Sequence, residues 1–175
     1  MTAQDALKLH AELAYTELRT ALDGVSEPLA WSQVDFAPDQ YLHTNGSIIG
    51  IVQHIAVCKF MYGSTGFRQT EVRWRDCFAR LEAIGTSWDQ SLQYLEEASE
   101  YWRASWAPLT DLDRDYPHFR GRLWPAWKII GTVTQHDVYH AGQIAVLAST
   151  LKPVGMPPDM RFEEERKHVM ELPGW

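Results

Sequence analysis

The run SIIGIVQHIAVCKFMY, residues 47–62, places the tightest limit on how this chain can fold. Wound as an α-helix it presents apolar side chains on almost every side, and such a helix is stable only where other elements surround it. It does not suit a bilayer, because its apolar stretch over residues 48–57 is interrupted by Gln53 and His54 and a membrane-spanning helix needs about 20 apolar residues. The chain must therefore supply its own covering layers. With 175 residues, 45% of them hydrophobic, it has material for one domain around one core.

The covering elements are read from their periods. Ala3, Ala6, Leu7, Leu13, Ala14, Leu18, Ala21 and Leu22 repeat at helical spacing over residues 2–23, with Gly24 just past the end. Residues 27–44 hold Pro28 and Pro38 and no sustained period, so they read as a long connection with a short turn near residues 29–33. The second helix is expected from Asn45. Asn45-Gly46-Ser47 has the form of a glycosylation acceptor, yet without a secretory signal it reads as the start of that helix. A short helix over residues 76–84 should stop at Gly85. Ser87-Trp88-Asp89-Gln90 then has the spacing of a capping box, opening a third long helix striped by Trp88, Leu92, Leu95, Ser99, Trp102 and Trp106 as far as Pro108.

The next segment, LTDLDRDYPHFRGRLW over residues 109–124, is too irregular for a helix and fits a hairpin or a lid. Pro125 suits the first turn of a fourth long helix, which Lys152-Pro153 should end after Leu151. Four long helical patterns with few strand signals predict an all-α four-helix bundle. The long first connection argues against a simple up-down-up-down order. Residues 1–152 form the expected domain, and residues 153–175, with the mixed run RFEEERKH, a tail packed on it or at an oligomer contact.

Charge narrows the partners. The net charge is −7 and Lys and Arg are scattered singly, so no basic stripe is available for nucleic acid or an anionic membrane surface. Two cysteines, Cys58 and Cys77, and an N-terminus without a charged and then apolar leader point to a reducing cytoplasm.

One motif carries chemistry. In TQHDVYHAGQIAVL, residues 134–147, the stripe Ile129, Val133, His136, His140, Ile144, Leu147, Leu151 advances in steps of three or four and places two imidazoles on the expected core face. Four residues apart, they differ by about 40° around the axis and about 6 Å along it, so both can reach one ion. A third donor is at hand in His54, on the stripe Ile51, His54, Cys58, Met61 of the second helix. On spacing alone two readings stay open: hydrogen-bonded core histidines, or three ligands of one divalent ion whose bonds satisfy all three imidazoles.

His136-Asp137-Val138-Tyr139-His140-Ala141-Gly142-Gln143-Ile144, together with the helix Ser47-Ile48-Ile49-Gly50-Ile51-Val52-Gln53-His54-Ile55-Ala56, closely resembles the signatures of the DinB/YfiT-like metalloenzyme superfamily. The similarity spans about residues 1–152. It implies a four-helix bundle with His54, His136 and His140 around one divalent ion, zinc or nickel, completed by water, and in many members a homodimer. It further implies a small-molecule substrate and three alternatives: S-transfer from a low-molecular-weight thiol such as glutathione, mycothiol or bacillithiol; hydrolysis; or a non-catalytic metal-binding or dimerising stress-response module.

Around the expected ligands, Gln143 should orient a bound water or bridge helices, Tyr139 should meet substrate or only pack, and Asp137, expected off the stripe, should accept a proton from an imidazole. His10, on the stripe Ala3, Ala6, Leu13, Glu17, could approach the bundle centre, while Cys58 reads as a small core residue. Arg114, His118, Arg120 and Arg122 would suit an anionic thiol if their segment folds over the metal.

Overall fold

The computed structural model describes residues 2–34 and 45–158, apart from the side chain of Arg120. The remainder of the first connection and the RFEEERKH run of the tail lie outside the described residues. Among the described residues, six α-helices and one hairpin follow in order: α1 (Ala3–Leu22), α2 (Glu27–Ala30), α3 (Ile48–Phe67), α4 (Trp74–Ile84), α5 (Trp88–Trp106), β1 (Asp115–His118), β2 (Arg122–Pro125) and α6 (Ala126–Thr150). The four long helices form the expected all-α bundle.

Local chemistry sets the ends. Thr2 and Asp5 exchange side-chain and backbone hydrogen bonds across the first turn of α1, and Ser47 Oγ accepts from Gly50 N, so α3 begins at Ile48 and Asn45 stays outside it. At α5 the Ser87 hydroxyl accepts from Gln90 N. Pro125 caps α6 from outside instead of joining its first turn, and the free amides of Ala126 and Trp127 donate to the carbonyls of Arg114 and Leu112. The segment before α6 is thus a hairpin whose approach also seals the helix start. Gly121, at φ 67°, makes the turn between its strands.

The order of directions follows from cross-helix pairs. Glu12 meets Arg103 and Arg19 meets Glu96, so α1 and α5 run antiparallel. Gln53 bonds Ser91, and a Cβ on Gly63 would lie 3.0 Å from Ser105 Oγ, so α3 and α5 are parallel. Gly66 approaches Ile129 while His54 approaches His140, which makes α3 and α6 antiparallel. Up-down-down-up is the result: the simple up-down-up-down order is absent as expected, but the connection that changes it is the one between α3 and α5, not the long first connection. The α4 excursion returns the chain to the top of the bundle so that α5 can descend beside α3.

Fourteen of the 20 residues of α3 are buried, so it is the central helix its apolar run demands. Its neighbours cover it with Leu18 and Leu22 from α1, Phe78 and Leu81 from α4, Trp88 and Leu95 from α5, and Ile144 from α6. On α1 the buried face is Ala14, Leu18 and Leu22, with Leu7 and Ala11 partly covered. Leu9 and Leu13 are half exposed and His10 is exposed, so the stripe that would have carried His10 inward faces outward. The expectation mixed two faces of one helix, and the packing of α5 and α6 selects the other.

Candidate metal centre

His54 on α3 and His136 and His140 on α6 are brought together at the seam between the two helices. His136 Nε2 lies 3.1 Å from both His54 Nε2 and His140 Nε2, and a ligand nitrogen of each ring is within 4.8 Å of the others. An ion at about 2.0–2.1 Å from each nitrogen, with tetrahedral angles, sets adjacent ligands about 3.3–3.4 Å apart. Two edges of the triad are within a few tenths of an ångström of that value and the third is within 4.8 Å, so these three residues form a cluster that could hold a metal ion. His140 is buried, whereas His54 and His136 are partly exposed. The two partly exposed rings lie on the outer side of the seam, away from the bundle centre.

Neighbouring groups orient one ligand. His140 Nδ1 donates to Gln143 Oε1 at 2.6 Å, and Gln143 Nε2 in turn donates to the Tyr139 hydroxyl at 2.9 Å. With the proton held on Nδ1, the Nε2 lone pair of His140 points at the cluster, the tautomer a metal requires. Burial pushes the His140 imidazole below its ordinary value of 6.5, partly opposed by Gln143, so the ring stays neutral. Tyr139 itself is 61% exposed, at the rim.

Cys58 stands one turn beyond His54. Its Sγ is 3.6 Å from His54 Nε2 and 4.0 Å from Nδ1, beside the ring instead of among the converging nitrogens. Tyr62 follows on the same helix. Burial first, and Cys58 second, push its phenol up to about 12.

Three expectations are corrected. Asp137 is 3% exposed and turned into the core, where it accepts from Lys59 Nζ at 2.6 Å instead of from an imidazole. Burial raises its carboxyl above the usual carboxylate range, with Lys59 opposing the shift. His136 takes the partly exposed position, because the buried line of α6 runs Ile129, Ile130, Val133, Thr134, Asp137, His140, Ala141, Ile144. His10 is exposed on α1 and is not part of the cluster.

The hairpin does not close over the histidines. Phe119 packs on Tyr62 and Tyr116 on Phe67, about 12 Å or more along α3 from His54. His118 stacks on Trp124 with ring centres 3.7 Å apart, and Lys128 Nζ lies 4.0 Å from a ring centre of the same indole. Lys59 is the residue that sequence reasoning missed. Its partner lies 78 positions away, and the only local signal was a lysine inside an otherwise apolar helix.

The profile of the DinB superfamily matches residues 12–144, which runs from the middle of α1 through most of α6 and includes all three histidines. The chain belongs to the DinB superfamily. No curated protein and no solved structure matches it. For this DinB protein, membership agrees with the helical bundle and with a histidine cluster at the α3–α6 seam. No described helix is long and apolar enough to cross a membrane.

Proposed function

We propose that this DinB protein is a metal-dependent enzyme of the thiol S-transferase type, with His54, His136 and His140 holding one zinc or nickel ion. The observation that carries the reading is the three-histidine cluster itself: among the described residues, no Cys, Asp or Glu joins the three nitrogens within 4.8 Å. Three protein ligands with an open side are the mark of catalytic sites, whereas structural sites are closed by a fourth. When bound, the ion supplies a site at which a small thiol is readily deprotonated.

The chain's own residues do the rest. Gln143 fixes the proton of His140 on Nδ1, and the exposed Tyr139 hydroxyl, already accepting from Gln143, keeps its own proton to offer a substrate. In the reaction the thiol gives up its proton to solvent, its sulfur forms a bond to an electrophilic carbon, and the leaving group departs with the electron pair. Cys58 and Cys77, both present as thiols, fit a reducing cytoplasm. The exposed Leu9, Leu13, Val138 and Val146 on α1 and α6 fit a homodimer, which light scattering of the purified protein would test.

A second reading rests on Cys58. A rotation of its side chain would bring Sγ toward the nitrogens and close the site with four protein ligands, as in a non-catalytic module. Cobalt separates the two. Glutathione, mycothiol and bacillithiol, each titrated into the cobalt-loaded protein, should produce a thiolate charge-transfer band for at least one, also in Cys58→Ser. A band present before any thiol is added, and lost in Cys58→Ser, would instead mark the closed site. No band under any condition, with metal bound, would turn the assignment to hydrolysis.

A further inference from the structure

Beside the triad lies a pair of charges that no step above uses. The Lys59 and Asp137 side chains are 2% and 4% exposed and meet at 2.6 Å between α3 and α6. Asp137 follows His136 directly, and Lys59 comes five residues after His54. About 100° and 140° of helical rotation separate each charge from its histidine, so the histidines occupy the outer side of the seam and the charges its inner side.

We propose that the Lys59–Asp137 pair is a positioning element for the histidine centre, fixing the register of α3 against α6 and with it the separation of His54 from His136 and His140. The proposal rests on the metal-binding reading. Three observations support it. Replacing a buried ion pair with apolar residues of similar volume is commonly neutral or stabilising, so the pair is not explained by stability. Its contact is also directional and short, whereas apolar contacts across the same seam, such as Gly66 against Ile129, are non-directional. A slide that lengthened the 3.1 Å separation by about 1 Å would bring it near the roughly 4.2 Å that one ion can bridge at all.

The third observation concerns what lies behind the pair. Lys59 Nζ lies 5.0 Å from the centre of the Tyr15 ring of α1. Lys59, Asp137, Tyr15, Ser99, Thr134 and Trp106 border a cavity of about 20 Å³. Asp137 Oδ1 and Trp106 Nε1 are buried there without a hydrogen-bond partner among the described residues. A cavity of that size takes one water, which can donate to the carboxylate and accept from the indole. The network would thereby tie α3 and α6 to α1 and α5.

The test compares wild type with Lys59→Met/Asp137→Leu and with Asp137→Asn. Each is checked metal-free by circular dichroism and thermal unfolding, then titrated with zinc against a chromophoric chelator and with cobalt for its ligand-field spectrum. The expected result is a double variant as stable as wild type that binds zinc at least tenfold more weakly, with a changed cobalt spectrum. A crystal structure of the metal-free double variant should show His54 and His136 displaced from 3.1 Å. A folded double variant with wild-type zinc affinity and unchanged imidazole separation would overturn the proposal. Should that variant not fold, Asp137→Asn decides: folded, with zinc affinity within twofold of wild type, it overturns the proposal, and severalfold weaker binding supports it. Should wild type bind neither metal, the metal reading itself fails, and the crystallographic separation still tests the register.

Discussion

Gln143 offers the sharpest test of how the centre is built, because one side chain sets the protonation of a ligand. Its Oε1 accepts from His140 Nδ1 at 2.6 Å, and its Nε2 is committed to Tyr139, so the amide cannot turn over without breaking both contacts. Gln143→Ala removes a hydrogen bond worth about 1 kcal/mol net and also frees the ring to carry its proton on Nε2, where it blocks the metal. Losing such a partner costs about 10–100-fold in metal affinity, equivalent to about 1.4–2.7 kcal/mol. Gln143→Glu keeps the acceptor, adds charge, and should bind at least as tightly as wild type. Tyr139→Phe leaves the His140 contact in place and should change affinity less than about threefold, since the amide left over is near solvent. Competition titration with a chromophoric zinc chelator reads all three variants, with circular dichroism confirming the fold. Wild-type affinity in Gln143→Ala would refute the argument that this residue sets the tautomer.

Other outcomes follow from the same geometry. His54→Ala and His136→Ala should each lose most bound metal by elemental analysis while keeping their helical content, since both rings lie at the partly exposed seam. Burial holds His118 and His140 below the ordinary 6.5, so the unfolded chain takes up protons first as pH falls. Metal-free stability should therefore be intact above about 6.5 and decline below it, and equal urea midpoints at pH 7.5 and 5.5 in the presence of chelator would contradict this. Gly63→Val places a side chain where even a Cβ meets Ser105 Oγ at 3.0 Å and the Tyr101 ring at 3.1 Å; thermal unfolding should show a loss of about 1–3 kcal/mol. Trp88→Ala empties a site only 5% exposed and breaks the indole bond to Val25 O, at a cost of about 3–5 kcal/mol in denaturant titration.

Much of this was legible in the chain itself. The all-round apolar character of residues 47–62 required a central helix, and the Ser87 cap placed the start of α5 from purely local chemistry. Spacing of four put His136 and His140 on adjoining faces whatever surrounded them, because that relation is internal to one helix. Which face turned inward was not internal. On α6 a rotation of one position separates Asp137 from His136, and only the placement of α3 and α1 decided that the carboxylate would be buried and the imidazole partly exposed. On α1 the same freedom sent His10 to the surface. Lys59 lies in the core because Asp137 waits for it across the seam, a contact between distant positions that no local period encodes. Helical periodicity fixes angles within an element, while burial of a charge depends on a partner that another element supplies, and that partner exists only once the bundle has closed.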